Sequence, residues 1–86
     1  MPEISGFFGI VIAMYCSDHA PPHFHARYGS QAARISIDDL GMIDGDLSPR
    51  IRGIVIEWAA KHREELKLDW QRSAAMEPLF AIPPLE

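Results

Sequence analysis

Between His23 and Ile37 the chain alternates apolar and polar side chains in two runs, with Gly29-Ser30 between them. Alternation with period two marks strands that bury one face, and a Gly-first pair suits the tight II′ turn of a hairpin. The turn then sets the register. Tyr28 falls opposite Gln31, Arg27 opposite Ala32, Ala26 opposite Ala33, His25 opposite Arg34, Phe24 opposite Ile35 and His23 opposite Ser36. One face carries Phe24, Ala26, Tyr28, Ala33 and Ile35; the other carries His23, His25, Arg27, Arg34 and Ser36. A slip by one residue would mix the two sets, so the separation itself specifies the pairing.

The remaining elements are arranged around this hairpin. Phe7 to Cys16 is uncharged, β-branched and aromatic, which predicts one strand buried on both faces and central in its sheet. Gly9 within it marks a bulge or a close approach. Ser17 to Pro22 is a connection, because Pro21 and Pro22 have no N–H to give to a ladder. Asp38 to Gly41 reads as a polar turn, Met42 to Asp44 as a short further strand, and Asp44-Gly45-Asp46 as another turn whose acids need no catalytic role.

Ser48-Pro49 then announces a helix, with Ser48 as N-cap and Pro49 in the first turn. Its apolar stripe is Ile51, Ile54, Val55, Trp58, Ala59 and His62, continuing to Leu66 and Trp70. Trp58 and His62 are expected in the core, and Trp70 at its margin. The pattern runs to about Ala75 with a break expected near His62–Arg63. The tail beyond Glu77 is apolar and proline-rich, and is expected to pack on the domain or on a partner.

These elements define an α+β fold: a small antiparallel sheet of three to four strands, followed by one long or two shorter helices packed on one face. A single domain is expected over 1–86, β-rich over 4–46, helical over 48–75 and extended over 77–86. The histidine-bearing face of the hairpin is expected to stay uncovered.

Composition narrows the function classes. Eight Lys plus Arg stand against twelve Asp plus Glu, for a net charge of −4. That balance disfavours nucleic-acid binding through bulk charge and leaves only a local basic patch to carry it. Cys16 is the single cysteine, so no internal disulfide forms, and it is expected to be a small buried hydrophobe in a reducing compartment. No basic region precedes Ile4, and the apolar stretch at Phe7–Cys16 is far shorter than the ~20 residues of a membrane span. A cytoplasmic protein with no membrane partner is expected. In 86 residues the core is thin, and self-association would help it.

Chemistry concentrates in Ser17-Asp18-His19-Ala20-Pro21-Pro22-His23-Phe24-His25-Ala26-Arg27-Tyr28, which holds three of the four histidines. Imidazole exchanges protons and binds metals near neutral pH. One reading is a divalent metal held by His23 and His25 with His19 or Asp18 reaching back, although Arg27 and Arg34 on the same face oppose a cation. No other cofactor is expected. A second reading is cleavage of a phosphodiester, with His23 and His25 exchanging the proton and Arg27 or Arg34 clamping phosphate. A third, placed first, is a surface that binds a second copy or a small co-encoded protein. In the plainest reading, His19 caps its turn while His23 and His25 occupy the solvent face.

Several blocks resemble one small bacterial family: Pro2-Glu3-Ile4-Ser5, Phe7-Phe8-Gly9-Ile10, Asp18-His19-x-Pro21-Pro22-His23-Phe24-His25-Ala26, Glu57-Trp58-Ala59 and His62-Arg63-Glu64-Glu65-Leu66. The family is catalogued as domain of unknown function 4160. The likeness spans nearly the whole chain and is most specific in the Pro-Pro-His-Phe-His-Ala block. It implies that His19, His23 and His25 belong to the family's signature, without assigning them roles. Members are small and often encoded beside another small domain, which implies a paired, toxin–antitoxin-like system.

Overall fold

A computed structural model describes residues 3–16 and 19–85. Five strands, β1 (Glu3–Phe7), β2 (Ile10–Ala13), β3 (His23–Tyr28), β4 (Gln31–Ser36) and β5 (Met42–Asp46), precede two helices, α1 (Pro49–Lys61) and α2 (Arg63–Ala74). The strands form one antiparallel sheet in chain order. The fold class is the expected α+β, with five strands instead of three to four.

The extra strand comes from the run at Phe7–Cys16, which is not one strand. It folds back at Phe8-Gly9, where both residues have positive φ, 51° and 80°. Phe7 pairs with Ile10 across that two-residue turn, the geometry of a type I′ hairpin. An unbroken apolar run gives no polar residue to mark the reversal, and Phe8 is a residue type that seldom adopts this conformation. Glu3–Phe7 is thereby a strand of its own. Cys16, expected inside, is exposed beyond the end of β2.

The β3–β4 hairpin has all the pairings expected, from His23 opposite Ser36 to Tyr28 opposite Gln31. Gly29 at φ 58° supplies the positive first position of its turn. β5 continues through Asp46 where a turn was expected at Asp44–Asp46. Gly45 makes that continuation possible: its φ is 87°, and a Cβ there would sit 2.3 Å from the Ala32 carbonyl oxygen and 2.6 Å from Ala33 Cα.

The helical layer follows its stripe. Ser48 Oγ accepts the Ile51 N–H at 3.5 Å, with Pro49 in the first turn. The break falls at His62 (φ −122°), whose backbone ends α1 and begins α2. Trp58 is fully buried, with ring centroids 5.4 Å from Phe7 and 5.9 Å from Phe24. Ile10, Ile12, Phe24, Ala26 and Ile35 from the sheet meet Ile51, Val55, Trp58, Ala59 and Leu66 in one core cluster.

The tail packs back on this same core. Ile82 is 4% exposed, its N–H donates to the Ile4 carbonyl at 2.7 Å, and Trp58 Nε1–H donates to the Pro83 carbonyl at 2.9 Å. The N–H of Phe80 donates to Asp69 Oδ1, and the Arg72 guanidinium both donates to that oxygen and lies 3.6 Å from the centre of the Phe80 ring. Among the described residues no helix is long and apolar enough to cross a membrane.

Candidate functional site

Alternation sends Ile10, Ile12 and Met14 into the core and leaves Val11, Ala13 and Tyr15 on the opposite side. The registers of β2–β3, β3–β4 and β4–β5 then set Ala13, His25, Arg34 and Asp44 in one row across four strands. Arg27 lies beside Val11 on the one side and Ala32 on the other, and Asp46 lies beyond Ala32. The result is a shallow pocket of about 290 Å³, lined by Val11, Ala13, Tyr15, His25, Arg27 and Arg34 together with Ala32, Ala33 and Asp44. Its floor is made of small apolar side chains, and its rim is polar.

Arg34 and Asp44 hold each other fork to fork: Nε donates to Oδ1 at 2.9 Å, and Nη2 donates to Oδ2. The side chains are 40% and 56% exposed. The hydrogen bond from Arg34 holds the Asp44 carboxyl below the usual aspartate range; lost hydration opposes it, and the charge of Arg34, with lesser contributions from His25 and His23, adds to the lowering. The Tyr15 ring meets His25 edge-on at 4.6 Å.

The four expected catalytic candidates are therefore divided. His25, Arg27 and Arg34 line the pocket. His23 does not reach solvent as expected: it is 1% exposed. Its Nδ1–H donates to the Pro21 carbonyl at 2.8 Å, and its ring lies 5.2 Å from both His25 and Trp70. Trp70 of α2 thus closes the His23 end of a face expected to be fully open. The strand pattern placed His23 on the correct face but carried no information about what covers that end.

Of the expected metal ligands, His19 is exposed and Asp18 lies outside the described residues. Among the described residues no three His, Cys, Asp or Glu side chains converge as a metal site. His62 is half-buried against Trp58, with its Nδ1–H donating to Glu65 Oε1 at 2.6 Å.

Asp44 and Tyr15 were missed as site residues. Each was in principle legible: Asp44 as an opposite charge to pair with Arg34 on a neighbouring strand, Tyr15 as the next odd position after Ala13. Asp69 was missed too. It is fully buried in α2, and only the return of the tail gives it the Phe80 N–H.

A five-stranded antiparallel meander with a helical layer over its core face and a polar-rimmed pocket on the other defines a small α+β domain. The chain belongs to the family described as Domain of unknown function (DUF4160), whose model matches residues 9–71. No curated protein and no solved structure matches it.

Proposed function

We propose that this chain is one member of a pair of small proteins, toxin–antitoxin-like in arrangement, and that it holds its companion through the pocketed face of β2–β5. The observation that carries the reading is the make-up of the pocket, an apolar floor with both signs of charge on its rim. Protein partners bury apolar anchors inside a polar rim. A polyanion instead requires a broad stripe of one sign. Here Asp44 and Asp46 share the face with Arg27 and Arg34, in a chain of net charge −4. A cytoplasmic setting suits its lone, exposed Cys16. Histidine-dependent RNA cleavage has less support, because His23, one of the two proton carriers it invokes, is sealed beneath Trp70.

The test is co-expression of the tagged chain with the product of the neighbouring gene. The expected result is copurification that Arg27→Glu weakens at least tenfold, and growth arrest by the chain alone that the neighbour relieves. A tagged chain that elutes without the neighbour and leaves growth unaffected overturns the proposal.

A further inference from the structure

We infer that the pocket takes a carboxylate carried by the companion, and that Asp44 occupies the place of that carboxylate until it arrives. The inference rests on the docking face just proposed and adds the chemistry of what docks there. Arg34 presents the Nε and Nη2 edge of its guanidinium to both oxygens of Asp44. This is the planar, two-point geometry by which arginine recognises any carboxylate. The Asp44 side chain is more than half exposed, so water and dissolved ions compete for its contact with Arg34. An incoming carboxylate therefore meets a formed fork and a weakly held occupant.

The surroundings complete the site. His25 stands directly across from Arg34, and Arg27 is two residues along on the same strand face. The small side chains of Ala13 and Ala32 leave room above the floor, where the apolar stem of an aspartate or glutamate side chain can rest. The lowered pKa of Asp44, caused first by the Arg34 hydrogen bond, agrees with the geometry: this guanidinium favours an ionised carboxylate at its fork. A single carboxylate is preferred over a phosphodiester chain because a run of phosphates laid across the sheet would meet Asp46 beside Ala32.

The experiment follows side-chain and amide NMR signals of the full chain during titration with N-acetylglutamate and, separately, with inorganic phosphate. It uses the wild type, Asp44→Asn, Asp46→Asn and Arg34→Gln, with the amide fingerprint confirming that each variant is folded. N-acetylglutamate is expected to shift the Arg34 and His25 signals, and to bind Asp44→Asn about two- to fivefold more tightly than wild type, since one carboxylate that competes for Arg34 is gone. Arg34→Gln is expected to abolish the effect, and Asp46→Asn to give a smaller gain than Asp44→Asn. Equal gains from both aspartate variants would reduce the effect to general charge and overturn the inference. It falls equally if Asp44→Asn binds no better than wild type, if Arg34→Gln still binds, or if phosphate outcompetes N-acetylglutamate. Should N-acetylglutamate behave as expected while the neighbouring gene product fails to copurify, the carboxylate site stands and the paired-protein reading falls.

Discussion

Asp44 is where a single residue has the largest reach. Its carboxylate is tied to Arg34 on the adjacent strand, and its pKa is depressed chiefly by that hydrogen bond. A depressed folded-state pKa contributes stability that is fully present above the unfolded value and is lost as pH falls through the folded one. We therefore expect the Asp44 carboxyl carbon to titrate below the usual aspartate range, and Arg34→Gln to return it upward. An unchanged titration in Arg34→Gln would remove the arginine as the cause. His23 shows the limit of residue-level reading. Alternation placed it opposite Phe24 correctly, yet its burial depends on Trp70, which is 47 positions further along the chain by residue number.

At the scale of elements, the central hairpin was legible to the last pairing because polar and apolar side chains separate cleanly on its two strands. The helix start was legible in Ser48-Pro49, and the break at His62 in a stripe too long for one helix in so small a domain. The β1–β2 hairpin was not, since Phe8 occupies a turn position where asparagine or glycine is the ordinary choice. Phe8 also exposes 64% of its surface, so little packing opposes a change there. Phe8→Asn is expected to stabilise the protein by about 0.5–1 kcal/mol through relief of the left-handed backbone. Urea denaturation would register the gain, and a loss would mean that the aromatic ring contributes packing at the hairpin tip. β5 was read too short because Asp-Gly-Asp looks like a turn, whereas the glycine there permits close approach to β4.

At the scale of the whole molecule, the tail is an integral part of the core. It supplies Ile82 to the apolar cluster, a carbonyl to the buried indole of Trp58 and an N–H to the buried Asp69. Ile82→Ala should cost about 2–4 kcal/mol, as expected for truncating a buried aliphatic side chain. Urea titration with intrinsic tryptophan fluorescence measures it, and a change under about 0.5 kcal/mol would show the tail to be dispensable to folding. The same closure explains Asp69, a buried carboxylate in the sequence of an otherwise polar helix. Arg72, three residues on, is its local partner, but no local pattern marks the second one, the backbone N–H of residue 80.

Local physics alone determined the strand pairing at the centre of the sheet, the helical cap, the helical stripe and the common face of His25, Arg27 and Arg34. Each depends on side-chain periodicity or on a turn preference that acts over a few residues. Tertiary structure decided which of those side chains meets solvent. Trp70 sealed His23, β5 brought Asp44 to Arg34, and the returning tail gave an N–H to Asp69 Oδ1 and a carbonyl to the Trp58 indole. Burial is a property of what arrives from distant parts of the chain, and the spacing of neighbouring residues does not encode that arrival.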